Sequence, residues 1–200
     1  TATLVVQSAA LDHVVIAPTS STIAANGSQS YTLTAFDRFD NLLGDVTNDP
    51  STTFVAGAGA SCSANTCTST AAGAHSITGT FSGASATATL NVTAGGADHL
   101  VFTAEPDDEP AGTAQSVTVR VVDVFGNVVT TDNTTQVQLA ITGGTGASGA
   151  ALTCDQTNDT VTVVNGAATM SCSIDLAGAG YTLDAIDTSS GLTTGTSTSF

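Results

Sequence analysis

The sequence predicts an all-β chain made of two tandem, two-layer domains, and three observations lead to this prediction. Short Thr- and Val-rich runs are separated by clusters of Gly, Asn, Asp and Pro, a pattern typical of strands joined by turns. Helix-forming Glu, Lys, Arg and Gln are scarce, so a helical interpretation has little support. Residues 1–41 match residues 87–127 at fifteen positions without a gap, and this fixed period of 86 residues indicates a tandem repeat.

The opening strand is predicted to belong to a neighbouring domain. Thr1–Val6 matches Thr87–Val92, and the latter segment closes the first full repeat. The opening strand is therefore expected to be the last strand of a preceding copy, and Thr193–Phe200 is expected to supply only part of the same strand in the second repeat. The residues expected to form the inter-subunit strand, with side chains inside the neighbouring sandwich, are Ala2, Leu4 and Val6.

Domain boundaries follow from the repeat. Residues 1–10 are predicted to be the donor-like strand, residues 11–96 the first domain and residues 97–200 the second. Gly95 and Gly96 form the short joint between the two domains. The two domains are expected to follow one another in a rod.

Each repeat contains a strand with one buried face that runs into a turn. Gln29–Asp37 and Gln115–Asp123 alternate apolar and polar residues in the same phase, which indicates one buried face. The turn that follows has the pattern Asp-x-Phe-x-Asn in both copies. Its fourth position, Asp40 or Gly126, is expected at positive φ, which Gly favours and Asp tolerates.

The other residues of this turn are also assigned roles. Phe39 and Phe125 are expected to plug the core beside the turn. Asp37, Asp40 and Asp123 are interpreted as turn formers rather than as ligands, because Asp is an ordinary turn residue.

Four cysteines fall into two local pairs, Cys62 with Cys67 and Cys154 with Cys172. Neither pair has the spacing of a zinc site, and no histidine is close to either pair in sequence. Three disulfide connectivities are open, and the two local bridges are favoured. Disulfides in small domains indicate an oxidising compartment, so an extracellular or cell-surface location is expected.

The second repeat contains an insertion. Ala72-Gly73-Ala74 recurs as Ala177-Gly178-Ala179, so the offset between the repeats has grown from 86 to 105 residues. Part of the extra sequence is interpreted as a cysteine-bearing hairpin that turns at Asn165-Gly166, a strong type I′ signal.

These motifs, taken in order, resemble the tandem bacterial immunoglobulin-like repeats of cell-surface proteins, of the invasin and intimin type (Big-1-like). The resemblance is carried by the Asp-x-Phe-(Gly/Asp)-Asn turn, by Ala-Gly-x-(His/Tyr) before a late strand, and by the closing Thr-Ala-Thr-Leu-x-Val. It covers nearly all of the chain. It implies immunoglobulin-like β-sandwiches of about seven strands, strung on cell surfaces as adhesin stalks, surface-layer parts or filament subunits.

Composition limits the partners. The net charge is −15, and the only cations are Arg38 and Arg120. Nucleic acid needs Lys and Arg to displace its counterions, so no nucleic-acid binding is expected. The longest apolar runs are too short for a transmembrane helix, so no membrane insertion is expected either.

No catalytic site is predicted. The phosphate loop, nucleophile elbow, His-Glu-x-x-His and EF-hand patterns are absent from the sequence. His13 and His99 occupy equivalent repeat positions, and His75 aligns with Tyr181, so packing roles are preferred. We therefore predict that the chain is not an enzyme.

Calcium is the one cofactor left open. Hard cations need several oxygen ligands. The acidic residues expected to gather near the domain junction are Asp98, Asp107, Asp108 and Glu109.

The predicted function is that of a structural repeat module in an extracellular fibre or surface array. Its partners are neighbouring copies of itself, joined head-to-tail through the first strand, either by strand complementation or in a covalent tandem array. The alternative is an adhesin module that recognises a glycan or protein, with residues 150–173 as the place to look. Glycosylation triplets occur at Asn26, Asn91, Asn133 and Asn158.

Overall fold

The computed structural model describes residues 3–200 of an all-β chain. Ala2, one of the residues predicted for the inter-subunit strand, lies outside the described residues. The chain divides into two compact units at the bond between Thr93 and Ala94, and we call them domain 1 and domain 2. Within residues 3–200, no helical segment has the length and hydropathy that a membrane crossing requires.

Residues 3–93 of domain 1 contain ten strands, and their bounds follow the alternation of the sequence. In chain order they are β1 (Leu11–Ala17), β2 (Ser20–Ala24), β3 (Ser28–Ser30), β4 (Thr32–Asp37), β5 (Leu42–Asp45), β6 (Thr53–Ala56), β7 (Ala60–Ser63), β8 (Thr66–Ser69), β9 (Gly73–Phe81) and β10 (Ala84–Thr93).

Domain 2 contains eight strands and one short 3-10 helix at Thr157–Asp159. The strands are β11 (His99–Ala104), β12 (Gln115–Val122), β13 (Gln136–Ile141), β14 (Leu152–Cys154), β15 (Thr160–Thr162), β16 (Ala167–Ile174), β17 (Leu183–Asp187) and β18 (Gly195–Thr196).

The strand order of domain 1 is that of an immunoglobulin-like sandwich. One layer has the orders β1-β4-β5 and β3-β8-β7, in which β3 and β4 are successive pieces of one strand interrupted at Tyr31. The other layer has the order β2-β10-β9-β6, with β2 parallel to β10. These are the A-B-E-D and C-F-G sheets of the immunoglobulin fold, with the first strand divided between them.

The core of domain 1 lies between these layers. Ile16 and Leu33 face each other across the β1–β4 ladder, and Leu90 is opposite His75 across the β9–β10 ladder. Burial of such an apolar side chain stabilises a domain by about 1.5–3 kcal/mol. The buried apolar residues are Val14, Ile16, Tyr31, Leu33, Ala35, Cys67, Ile77, Ala88, Leu90 and Val92.

Domain 2 repeats this arrangement. Its sheets have the orders β11-β12-β16-β14 and β15-β13-β17-β18, again A-B-E-D opposite C-F-G. Its core is built largely from Val and Leu, as the shortage of aromatic residues requires. The larger buried residues are Leu100, Val117, Val119, Val121, Val137, Leu139, Val163, Met170 and Leu183.

Both predicted disulfides are present, and they occupy equivalent positions in the two domains. Cys62 is directly opposite Cys67 across β7 and β8, and Cys154 is directly opposite Cys172 across β14 and β16. The half-cystines are 5 residues apart in domain 1 and 18 apart in domain 2. The cysteines of domain 2 are therefore not part of the insertion, contrary to the prediction, and most of the extra residues lie between them.

The predicted hairpin of the insertion is also corrected. Its turn is present, with Asn165 at φ 50° and Gly166 at φ 70°. However, β15 pairs with β13, whereas β16 pairs with β12 and β14. Both edges of β16 are already occupied, so the chain crosses at this turn to the other layer, where the edge of β13 accepts β15.

The segment before β1 has no strand pairing over Thr3–Ala9. Leu4 is 88% exposed and Val6 is 84% exposed. The segment is therefore not a terminal strand of domain 1 itself. Its assignment to a neighbouring domain stays a prediction.

The two disulfides should differ in their contribution to stability. In the chain-entropy model, a loop of 5 residues contributes about 2 kcal/mol and a loop of 18 residues about 3 kcal/mol. Replacing Cys154 and Cys172 by Ala should therefore lower the free energy of unfolding more than the same change at Cys62 and Cys67. Denaturant unfolding of each domain measures this, and the two variants control for each other because they remove the same atoms. An equal or reversed order would contradict the loop-length argument.

Candidate functional site

The Asp that opens each repeated turn is buried because of the strand that precedes it. The inward positions of β4 are Leu33, Ala35 and Asp37, so the alternation that buries the core also carries the Asp37 carboxylate inside. Asp123 follows β12 in the same way. Asp37 is 0% exposed and Asp123 is 1% exposed, so both carboxylates are buried.

The Asp37 carboxylate accepts four hydrogen bonds. Oδ1 accepts the backbone N–H groups of Phe39 (2.9 Å) and Asn41 (3.0 Å). Oδ2 accepts the side-chain amide of Asn41 (2.9 Å) and the backbone N–H of Ala9 (2.7 Å). A buried carboxylate needs such donors, since an unpaired buried charge is very costly. The first three bonds close the turn, and the fourth holds the chain segment that enters the domain.

Asp123 makes the equivalent bonds in domain 2. Its Oδ1 accepts N–H groups from Phe125 (2.9 Å) and Asn127 (2.9 Å). Its Oδ2 accepts the Asn127 side-chain amide (2.9 Å) and the Gly95 N–H (2.7 Å). Ala9 and Gly95 are 86 residues apart, the period of the repeat. We call this arrangement the aspartate clip.

The clip keeps both carboxylates ionised. At Asp37, the hydrogen bond from the Asn41 side chain outweighs desolvation, and with the Ala9, Phe39 and Asn41 N–H groups it holds the pKa well below the ordinary 3.8. At Asp123, burial favours the protonated form. The bonds from Asn127, Gly95 and Phe125 outweigh burial there, so the pKa is again lowered.

The phenylalanines of the turn are not in the core, which corrects the prediction. Phe39 is 64% exposed and Phe125 is 45% exposed. The ring of Phe39 instead lies under the Arg38 guanidinium, 4.6 Å from its centroid, in a cation–π contact. The inward alternation ends at Asp37, and the turn then directs the following side chains outward. The positive φ values expected at Asp40 (60°) and Gly126 (83°) are confirmed.

Each of the three histidines has a hydrogen-bonding neighbour. His13 and His99 lie 3.2 and 2.8 Å from the carboxylates of the aspartates that precede them. His75 is buried, and its Nε2 lies 2.8 Å from the carbonyl oxygen of Ala71. Its counterpart Tyr181 donates its hydroxyl to the carbonyl of Leu176 (2.8 Å), which is the geometry of a tyrosine corner.

The residues predicted for calcium are only partly brought together. Asp107, Asp108 and Glu109 line a cavity of about 350 Å³ in domain 2, beside Leu176 and Tyr181. Asp98 instead contacts its neighbouring histidine. Nowhere in residues 3–200 are three or more His, Cys, Asp or Glu side chains arranged to hold a metal ion. Calcium binding therefore stays a prediction to which this geometry adds no support.

No protein-family model matches the sequence, and no curated protein matches it. Among solved structures, domains 5-6 of the S-layer protein SbsC are 18% identical with a TM-score of 0.36, over 94% of this chain and 97% of that chain. The adhesin InvE of Yersinia pseudotuberculosis is 21% identical with a TM-score of 0.36, over 94% of this chain and 59% of that chain.

A third match is β-glucuronidase 3 of Bacteroides uniformis, which is 12% identical with a TM-score of 0.39. It covers 94% of this chain and 24% of that chain. TM-scores of this size carry no argument about this protein. The immunoglobulin-like assignment therefore rests on the strand order of the two domains.

Substituting Asp123 tests the clip. In Asp123→Asn, an amide replaces one carboxylate oxygen and leaves a buried N–H without an acceptor, which costs about 1–3 kcal/mol. We expect the free energy of unfolding of domain 2 to fall by about 2 kcal/mol, and the Gly95 amide to exchange faster with deuterium. Asp108→Asn removes the same charge at an exposed site, and it should change stability by less than about 0.5 kcal/mol. Equal effects of the two variants would argue against the clip.

The clip also predicts a pH dependence. The folded-state pKa values of Asp37 and Asp123 lie below 3.8, so the unfolded chain binds these protons first as the pH falls. The resulting stability is fully present above about pH 5, and it is lost as the pH falls through the folded-state pKa. Asp37→Asn should reduce the proton uptake on unfolding below about pH 4 by up to about one proton, measured from stability against pH. Asp40→Asn, in the same turn but exposed, is the control, and an unchanged slope in Asp37→Asn would contradict the lowered pKa.

Proposed function

We propose that this chain is a structural repeat module of an extracellular fibre or cell-surface array, joined head-to-tail to neighbouring copies through the segment before β1. The observation that supports this most directly is the aspartate clip. Asp123 holds Gly95 in the segment that leads into domain 2, and Asp37 holds Ala9 in the segment that leads into domain 1. The segment before the first strand is thus held in the same way in each domain.

The apolar residues of that segment support the same proposal. Leu4 and Val6 repeat Leu90 and Val92, which are buried in β10 between β2 and β9. Leu4 and Val6 are exposed, and burial in the sandwich of a neighbouring copy would remove their apolar surface from water. Both a covalent tandem array and strand complementation place them there.

The disulfides support an oxidising location. Two cross-links in domains of this size are typical of secreted and cell-surface proteins. The proposed module therefore works outside the cytoplasm, where the cross-links persist.

An adhesin role is the second candidate. It is favoured by the extra residues between Cys154 and Cys172, which give domain 2 the 3-10 turn and β15 that domain 1 lacks. Segments of this kind on a rigid scaffold often carry binding residues. The ligand would be a glycan or a protein.

A fused chain tests whether residues 1–6 complete a neighbouring sandwich. A second copy of residues 11–86 placed directly before Thr1 gives an added domain whose last strand can be completed only by Thr1–Val6. We expect the added domain to fold, and the Leu4 and Val6 amides to become protected from hydrogen exchange. An unfolded added domain, or unprotected amides, would refute the proposed linkage.

Two substitutions in the fused chain control for the register. Leu4→Asp occupies the core position of Leu90 and should unfold the added domain, because it buries a charge. Val5→Asp occupies the outward position of Asn91 and should change its stability by less than about 0.5 kcal/mol. If both variants behaved alike, the segment would not pair in the register of β10.

Imaging of the 200-residue chain separates the two modes of linkage. Fibres that disappear when residues 1–10 are removed are the result expected for strand complementation. Separate particles with and without these residues are the result expected for a covalent array.

A further inference from the structure

Each domain has two ends that its hydrogen bonds define. The aspartate clip lies where the chain enters the domain, and we call this the entry end. At the opposite end of domain 1, before β3, the Ala25 N–H donates to the carbonyl oxygen of Thr93, the last residue of β10, at 2.8 Å. The chain therefore leaves domain 1 at this end, which we call the far end. In the head-to-tail series proposed above, on which this inference rests, the far end of domain 2 precedes the entry end of domain 1 in the next copy.

The far end of domain 2 carries a pocket of about 350 Å³. Gln115, the first residue of β12, lines this pocket, and the chain reaches Asp123 of the clip only after the opposite end of β12. The pocket has an exposed acidic wall and an apolar wall, formed respectively by Asp107, Asp108 and Glu109 and by Ile174, Leu176 and Tyr181. In the part of the chain that the structure describes, no cation pairs with the three carboxylates of the acidic wall.

The entry end of domain 1 carries a group of matching chemistry. Arg38 and Phe39 are both exposed, and the guanidinium lies 4.6 Å from the centroid of the ring. Within residues 3–200, no carboxylate pairs with Arg38. The neighbouring carboxylates of Asp12 and Asp40 instead lie 3.2 and 3.6 Å from the ring nitrogens of His13. Domain 1 thus presents an aromatic ring and a cation together, with no anion of its own bound to the cation.

Each half of this match occurs in only one of the two domains. In domain 2, Val124 takes the place of Arg38 in the repeated turn. In domain 1, the far end consists of segments 24–28 and 69–73, which contain no charged side chain. Opposite charges across an interface favour one pairing over its competitors. The match therefore selects the far end of domain 2 as the partner for the entry end of domain 1 in the next copy.

We propose that Arg38 and Phe39 of one copy dock in this pocket of the copy that precedes it. The Phe39 ring packs against Leu176 and Tyr181, which removes apolar surface from water, since Phe39 is 64% and Leu176 is 42% exposed. The Arg38 guanidinium donates to the carboxylates of residues 107–109, and it reduces their repulsion for one another. Phe39, which its own core does not use, is thus an anchor for the neighbouring copy.

Self-association of the 200-residue chain, measured by sedimentation equilibrium at low ionic strength, tests this contact. We expect head-to-tail association that Arg38→Glu weakens at least about tenfold, because a cation beside the acidic wall becomes an anion. Phe39→Ala should weaken it by a similar factor, because it removes the anchor. Phe125→Ala makes the same change at the equivalent position of domain 2, and it should leave the association unchanged. A chain that stays monomeric, or Arg38→Glu that associates as the unmodified chain does, would overturn the proposal.

A charge reversal provides a second measurement. A chain in which Asp107, Asp108 and Glu109 are all replaced by Arg should associate poorly with itself, yet it should bind the Arg38→Glu chain when the two are mixed. A mixture that associates no better than either variant alone would contradict the docking.

These results are independent of the fused-chain experiment. The added domain of the fused chain is a copy of domain 1, so it lacks the acidic wall. Protected Leu4 and Val6 amides there, with unchanged association of Arg38→Glu here, would overturn the docking and leave the strand linkage in place.

Discussion

The structure depends on one interaction that occurs twice, a buried Asp carboxylate that binds its own turn and the chain that enters its domain. A charged Asp37 or Asp123 inside a domain would be strongly destabilising without the N–H groups that donate to it. These donors come from the segment before β1 or β11 and from the turn after β4 or β12, so the turn and the entering segment are held together. The hydrogen bond from the Ala9 N–H to Asp37 and the one from the Gly95 N–H to Asp123 therefore recur with the 86-residue period of the sequence.

Much of the fold could be predicted from sequence, because it depends on local patterns. Alternation in β4 and β12 indicated the buried faces, and the local spacing of the cysteines indicated both disulfides. Positive φ at Asp40 and Gly126 followed from residue type alone. The strand order of an immunoglobulin-like sandwich was expected from the resemblance, and the sheet pairings agree with it.

The features that sequence did not predict depend on contacts between distant residues. The assignment of β15 to the sheet of β13 depends on which strand edges are occupied, and a turn signal does not report this. The burial of Asp37 and the exposure of Phe39 reverse the ordinary preference of each residue type, because the strand ends between them. The sequence did contain a signal for the buried Asp, since in both repeats this Asp is followed four positions later by an Asn that donates to it.

The unequal spacing of the cysteines has a mechanical consequence. In any protein that carries load along its backbone, an unfolding domain lengthens by the residues that force can straighten. The bridge between Cys154 and Cys172 shields the 17 residues between them from tension, since their separation is 18. At about 3.4 Å per residue, this shortens the extension of domain 2 by about 60 Å. The segment most different from domain 1 would thus remain a closed loop even when its own sandwich has been pulled apart.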